Sequence, residues 1–497
     1  MLFLSIRTTG GRNPHFARLE ELQIMDKTGA ICRYDPAHLP NLSQVLVILF
    51  DAVFTLGILE KAGCTITQFE DVRLLAKVTG MVVEDRIFTP VGQRYFRYSI
   101  AHKTVSEGIN LYCLKGLYGK LKQHLRTAVY RREKAVLPAV LEIQRNGIAF
   151  HYKDWQESLQ TKHKELAVIN NSLQQHCGSL EPQKLLQALQ RSGMPIGSLR
   201  RDELKPYKAH PMVTQLYTKV KLEQYLTLYE QRILEYMDNG FLYAGWDSCS
   251  ANSGRMAARQ PNVQAFPRAA RPYFHAAEGS VLISCDYSQI EMRVLCEITS
   301  CQKMMGAFRK GEDIHDRTAQ AIFQRSCITE KQRKVAKKVN FGIVYGITPF
   351  GLARQLTEEG LSISEKDASQ LIELFLRTYP EIREYWKAVE GLDAISSLGG
   401  RQFSTEDLSS SQRKNLAVQA AATEGFKAAL ALLEQGKPES YQLRMAVHDE
   451  VVVEVSEADA KEAAELVEAT MIEGMKNIVK SVPIECSTHY GRCWGKK

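Results

Sequence analysis

The sequence predicts an α+β protein, and three stretches carry that prediction. The first is Val281-Leu282-Ile283-Ser284-Cys285-Asp286-Tyr287, an apolar, β-branched run that reads as a buried strand; from Gln289 to Glu297 the pattern changes to helical spacing. The second lies near the C-terminus. There Leu443 to Val447 and Val451 to Val455 flank His448-Asp449-Glu450, two short strands about a polar turn that make a hairpin with carboxylates at its tip. The third is Arg333 to Gly346, RKVAKKVNFGIVYG, in which Arg333, Lys337, Phe341 and Tyr345 recur every fourth residue and so share one helix face about 18 Å long.

These stretches suggest a chemistry. Two carboxylates on neighbouring strands, Asp286 and Asp449, can hold a pair of divalent cations about 3.5 to 4 Å apart, as in-line phosphoryl transfer requires. Hard cations take carboxylate oxygens, and Mg²⁺ keeps positions free for substrate phosphates. An Asp after a strand also serves as a turn former or helix cap, so neither acidic motif decides alone. The helix face of Arg333 to Tyr345 is cationic at one end and aromatic at the other. It could grip a triphosphate while its rings cover sugar and base. Standing alone, it reads better as an amphipathic surface helix with core aromatics. Gly342 and Gly346 each cost roughly 1 kcal/mol relative to Ala inside a helix, which points to close approach of another group or to a helix end that must move.

Together, Asp286 to Arg293 (DYSQIEMR), Arg333 to Gly346 and Val447 to Glu450 (VHDE) resemble, in the same order, the palm and fingers motifs of the bacterial DNA polymerase I family, family A. Weaker matches extend the resemblance back to Asn146. It implies a right-hand polymerase with palm, fingers and thumb, preceded by an RNase H-like α/β module of exonuclease type. The implied divisions are 1–125 for that module, 126–250 for the thumb, 251–300 with 411–497 for the palm, and 301–410 for the fingers. The implied activity is template-directed addition of dNTPs to a primer 3′ end with two Mg²⁺, Mn²⁺ serving as a substitute. Primer-template DNA and dNTPs are the implied partners.

The resemblance also distributes roles. Asp286, Tyr287 and Asp449 take the metals. Lys337 and Glu450 complete the catalytic group, Lys337 as proton donor to pyrophosphate and Glu450 as a polarising neighbour. Arg333, Lys337, Phe341, Tyr345, His315, Glu291, Gln289 and Tyr287 face the nucleotide, with Glu291 blocking the 2′ position and so favouring deoxynucleotides. Arg255, Asn262, Gln264, Gln419 and His448 meet primer and template; polar donors in a minor groove, where acceptors are alike for every base pair, do not select sequence. Two other readings stand beside this one. A single-subunit RNA polymerase would share the palm, against which Glu291 argues; a non-catalytic nucleic-acid binder would keep a vestigial palm.

In chain order, the N-terminal 125 residues hold a negative result. Phe3 to Gly10 resembles the first exonuclease motif, but Ser5 and Arg7 stand where the family carries Asp and Glu ligands. Asp51, after Val45 to Phe50, resembles the second motif's aspartate; in the third, Ser106 and Asn110 replace Tyr and Asp. One carboxylate cannot hold two metals. The expectation is an exonuclease-like fold without that activity, or an unrelated α/β module, which supports the fold or docks a protein partner. No 5′-nuclease-like segment is recognised.

From Arg126 to Ile143 the pattern is helical, and Asn146-Gly147 closes the helix before an extended piece. Long polar helices are expected between Trp155 and His176 and between Met212 and Met237, flanking a turn-rich basic stretch with Arg191, Arg200, Arg201, Lys205 and Lys208. Such a tip would meet phosphates without reading sequence, or would simply be solvated. Gly351 to Trp386 reads as helical with a break at Tyr379-Pro380. Gly391 to Ser410 reads as a loop without chemistry, and Arg413 to Leu433 as one long helix. There Ala417 and Ala420 replace the family's Pro and Gly, which puts the local backbone in question.

Composition bounds the rest. A chain of 497 residues with 44% apolar content predicts two or more globular domains. Eleven cysteines, an odd number without a Cys-x-x-Cys pair, fit reduced thiols in the cytoplasm better than disulfides or zinc. No unbroken apolar run approaches a membrane span. A net charge of +8 suits a polyanionic partner where it is clustered, and a monomer is expected.

Overall fold

At the N-terminus, β1 (Leu2–Thr9) pairs antiparallel with β2 (Arg18–Met25), which pairs with β3 (Ile31–Tyr34). The chain then adds β4 (Val47–Leu49), α1 (Ala52–Lys61) and β5 (Phe69–Asp71), with β4 and β5 joining parallel to β1 in the order β3-β2-β1-β4-β5. An antiparallel meander continued by parallel strands in this order is the RNase H-like arrangement. The structure, a computed structural model, describes residues 1–497 except 12, 80, 85–86, 91–97, 100–110, 208, 231–232, 359–360, 362 and 496–497. Ser106, Asn110 and Lys208 lie outside the described residues.

α2 (Val72–Val78) follows, then a small sheet of β6 (Met81–Glu84), β7 (Ile87–Pro90) and β8 (Tyr98–Ser99), and α3 (Leu111–Leu121). Asp71 caps α2 through Arg73 N at 2.9 Å and accepts from Ala52 N at 2.8 Å at the head of α1. One buried carboxylate thus satisfies the starts of two helices. Burial and the neighbouring Asp51 push its pKa up to about 6.

α4 (Ala128–Ala135) and α5 (Leu137–Asn146) match the helical expectation, and Gly147, at φ 55, turns the chain into β9 (Ile148–Phe150). A glycine is required there, because a Cβ would fall 2.8 Å from the Tyr243 ring. α6 (Tyr152–Cys177), α7 (Pro182–Arg191), the short α8 (Arg201–Leu204) and α9 (Pro211–Tyr229) form an arm in which α6 packs on α9. Its tip has a separate small core, built from Leu173, Leu185, Leu189, Val213 and Leu216 among others. The predicted second helix ends at Tyr229, eight residues before Met237, where the chain turns into β10 (Met237–Asp238) and β11 (Phe241–Leu242).

β12 (Gly245–Asp247) pairs with β13 (Ala257–Arg259), and β14 (Phe274–His275) joins β9. β15 (Ser280–Tyr287) is the central strand, buried at every position except Ser280 and Asp286, which are half-buried. α10 (Ile290–Thr299), α11 (Gln302–Arg309), α12 (Ile314–Phe323), α13 (Glu330–Val344), α14 (Pro349–Glu358), α15 (Glu365–Thr378) and α16 (Pro380–Glu390) follow, with the expected break at Tyr379-Pro380. The stretch read as a loop contains a hairpin of β16 (Ala394–Ser396) and β17 (Gln402–Ser404). Its strands are too short for alternation to register in sequence. Its Arg401 pairs with Glu133 of α4, and Ser397 bonds to Glu424 at 2.8 Å.

α17 (Ser410–Gly436) runs unbroken through Ala417 and Ala420, both buried. With Ala in place of Pro no main-chain donor is lost and no kink is imposed. Among the described residues this is the one helix long and apolar enough to cross a membrane by composition, but 83% of its apolar window is buried inside the protein, so it is a core helix. β18 (Gln442–Val447) and β19 (Glu450–Ser456) form the predicted hairpin, followed by α18 (Ala460–Lys476) and β20 (Cys486–Gly491). The sheet order is β18-β19-β15-β20, antiparallel throughout. α18 packs tightly on α17 because Gly474 meets Ala429, whose main chain would lie 2.3 Å from an added Cβ.

Candidate functional site

Register brings the two acidic deliveries together. Asp286, next to last in β15, pairs with Glu450 at the start of β19 and with Ser487 of β20. The turn before Glu450 is His448-Asp449, with His448 exposed at φ 59. Asp449 therefore stands beside the end of β15. Burial pushes the pKa of both aspartates well above the usual carboxylate range. For Asp286, Glu450 adds to the rise while Arg271, Arg268 and Lys337 oppose it; for Asp449, Asp286 and Glu291 add to it while Arg255 opposes. The two carboxylates thus lie close enough to repel each other, which is the arrangement a cation between them would relieve.

The fit to a metal pair is supported by the donors. Asp286 Oδ1 is buried and has no hydrogen-bond partner among the described residues. Among the described residues no three His, Cys, Asp or Glu side chains form a metal cage by themselves. Two carboxylates without a third suit Mg²⁺, which completes its shell with water and phosphate oxygens. Tyr287 offers only its main chain: its ring is buried and its hydroxyl donates to Met471 O at 2.6 Å.

Glu450 is held differently. Its carboxylate accepts from Arg271 at 2.9 and 3.2 Å and from Trp494 Nε1 at 2.7 Å, and the Arg271 guanidinium stacks 4.1 Å from the Trp494 ring. With both oxygens engaged, it acts on Asp286 as a fixed neighbouring charge. Sequence reading missed Arg271 and Arg268, which lie in a short Pro-flanked segment without periodicity, and did not connect Trp494 with Glu450.

α13 begins with a capping box of Thr329 and Gln332 and carries the cationic and aromatic face toward these acids. Arg333 pairs with Asp313 and, at 2.9 Å, with Asp316. Lys337 Nζ lies 5.6 Å from the Phe341 ring centroid and close enough to Asp286 to lower its pKa. His315, on α12, is buried with its ring 5.6 Å from Phe341. Tyr345 caps α13, and Gly346, at φ 62, ends the helix. The Tyr345 hydroxyl lies beside Glu291, whose charge adds to burial in raising its pKa, and Arg255 donates to Glu291 Oε1 at 2.7 Å. Buried polar atoms without partners among the described residues gather here: Gln289 Oε1, Glu291 Oε2 and His315 Nε2 join Asp286 Oδ1.

The residues given to primer and template divide. Arg255 and His448 border the acids. Asn262 caps the turn that follows it, accepting from Gln264 N at 3.2 Å. The Gln264 amide is engaged inside the protein at both ends, accepting from Ala258 N at 3.0 Å and donating to Ala446 O at 2.9 Å, so it braces the hairpin that carries Asp449. Gln419 is half-buried on α17.

This architecture superposes on a solved polymerase. The POL domain of Pol1 from M. smegmatis, in complex with DNA primer-template and dNTP, matches with a TM-score of 0.83 over 99% of this chain and 95% of that one, at 22% identity. The fold is thus the α+β right-hand polymerase fold. DNA polymerase I of Aquifex aeolicus is 32% identical over 278 residues, which is 54% of this chain and 48% of that protein. The thermostable DNA polymerase I of Thermus filiformis is 32% identical over 312 residues, 58% of this chain and 36% of that protein. These matches span less than half the length of those relatives. Residues 151–496 match the model of DNA polymerase family A, and the chain belongs to that family.

Proposed function

We propose that this chain is a template-directed DNA polymerase that extends a primer 3′ end with dNTPs and lacks proofreading. The observation that carries the reading is the meeting of Asp286 and Asp449 beside the Arg333 to Tyr345 face of α13. Asp286, Asp449 and the main chain of Tyr287 would hold Mg²⁺, or Mn²⁺ in its place. When bound, a pair of such ions activates the primer hydroxyl and neutralises the leaving pyrophosphate. Arg333 exchanges Asp313 and Asp316 for triphosphate oxygens, and Lys337 binds phosphate and protonates the leaving group. Phe341 and Tyr345 cover sugar and base, Gln289 adds a polar contact, and Glu291 occupies the space a 2′-hydroxyl would need. Glu450 holds Asp286 in a negative field.

We assign 301–410 to the fingers, 251–300 with 411–497 to the palm and 126–250 to the thumb. Arg255, Asn262, Gln419 and His448 line the primer-template side, while Gln264, with both ends of its amide engaged inside the protein, braces the hairpin behind them. The N-terminal module does not degrade DNA: on β1, Ser5 is buried and Arg7 pairs with Glu20 at 3.4 Å, so no carboxylate from these positions joins Asp51. The enzyme would act in the cytoplasm as a monomer.

Primer extension with Mg²⁺ tests this on matched and 3′-mismatched primers, with dNTPs, with rNTPs and with neither. Extension of the matched primer with dNTPs and no shortening of the mismatched one is expected. Equal use of rNTPs would favour an RNA polymerase, and Mg²⁺-dependent shortening would show a working exonuclease. No extension at all would favour a non-catalytic nucleic-acid binder.

A further inference from the structure

His315 stands in the first turn of α12, its residue only 1% exposed, facing α13. Opposite it on α13 is Asn340, at 0% exposure. Asn340 Nδ2 donates to His315 Nδ1 at 2.8 Å and also reaches the carbonyl of Ile314 at 3.4 Å, which turns the amide nitrogen toward the ring. A ring nitrogen that accepts a hydrogen bond cannot also carry the proton of a neutral imidazole. The proton therefore sits on Nε2, and Nε2 is buried with no partner among the described residues.

A buried N–H left unmade is costly, and such groups are rare unless a ligand supplies the acceptor. The charged groups that act on the ring are Asp313 at the head of its own helix and Lys337 and Arg333 on α13. Asp313 is already engaged, by Arg333 and by the main chain of His315 at 2.7 Å. The remaining neighbours are cations, so the acceptor that suits Nε2–H is an anionic oxygen that Lys337 and Arg333 also attract.

We propose that Asn340 is a positioning residue of the nucleotide site: by donating to Nδ1 it fixes His315 as a neutral Nε2–H donor to a phosphate oxygen of the incoming triphosphate. This rests on the nucleotide-binding reading above and adds to it which proton is offered and what holds it there. Burial, with Lys337 and Arg333, lowers the pKa of His315 to about 4 against the opposing pull of Asp313. The ring accordingly donates without carrying charge at neutral pH, and Lys337 is left to bear the proton that is transferred.

The test is side-chain ¹⁵N NMR of histidine-labelled full-length protein, with His315→Gln used to assign the resonance. The expected result is an Nε2–H tautomer in the wild type from pH 6 to 8, shifted by inorganic pyrophosphate. In Asn340→Ala the tautomers should mix, and KM for dNTP should rise roughly tenfold, as loss of one hydrogen bond to a charged group implies, with kcat changing less. A wild-type proton on Nδ1, an Nε2 resonance that pyrophosphate leaves unmoved, or a tautomer unchanged in Asn340→Ala would overturn the proposal. Should that variant fail to fold, the wild-type spectrum with and without pyrophosphate decides by itself. The measurement needs no turnover: a protein that shows the tautomer and the shift but extends no primer would sink the polymerase reading and leave this one standing.

Discussion

Glu450 is adjacent to Asp449 in sequence, but its two oxygens are committed to Arg271 and Trp494. Removing Arg271 would leave a buried carboxylate with one neutral donor. Arg271→Ala should therefore cost about 3 kcal/mol in urea unfolding, and it should raise the pKa of Asp286 further, since Arg271 is the leading group that lowers it. His315 gives a second outcome. Its pKa falls from 6.5 to about 4 on folding, so between those values the unfolded chain binds a proton that the folded chain refuses. This contribution to stability is complete above pH 6.5 and is lost as pH falls toward 4; thermal unfolding of His315→Gln across that window should be flatter than wild type. At this scale the sequence revealed residues whose spacing is local: Asp286, Asp449 and the four-residue recurrence on α13. It could not reveal pairings such as Arg271 with Glu450, 179 residues apart, or Asn340 with His315, 25 apart, because no periodicity encodes them.

Among elements, β15 and the β18–β19 hairpin were legible because β-branched runs bounded by polar turns have few alternative readings. α13 was legible as well, and its two glycines have separate reasons. Gly346 supplies the positive φ that ends the helix, while Gly342 lies against Ile347, whose side chain would be 3.0 Å from an added Cβ. The hairpin of β16 and β17 was not legible, and the length of α9 was overestimated, since an apolar pattern continued into short strands. The arm tip makes a further prediction. Its small core is separate from the continuous core that runs from β1 to Trp494, so it can open without disturbing the sheet around β15. Amide exchange measured by mass spectrometry should be faster in α7 and α9 than in β15 and β19; equal protection would contradict two separate cores.

Across the whole molecule, the N-terminal module is fastened to the part that matches family A by specific contacts. Asn13 Nδ2 donates to Tyr243 O at 2.9 Å and to Gln260 O at 2.8 Å, His15 stacks on Tyr243 at 3.6 Å, and Arg73 grips Asp247 at 2.6 and 3.0 Å. Gln260 leads directly into the segment in which Gln264 braces the Asp449 hairpin. The N-terminal sheet thus contributes to the frame that holds two distant parts of the chain, residues 286 and 449, at one sheet edge. The most direct measurement is a double-mutant cycle on the primer-extension rate with Mg²⁺, using Asp286→Asn, Asp449→Asn and the pair together. If the two carboxylates serve one cation pair, each single change should lower the rate by more than about a hundredfold, beyond what loss of an outer-shell partner costs, and the double change should be scarcely worse than either. A near wild-type rate in either single variant, or losses that simply multiply in the double, would contradict the account.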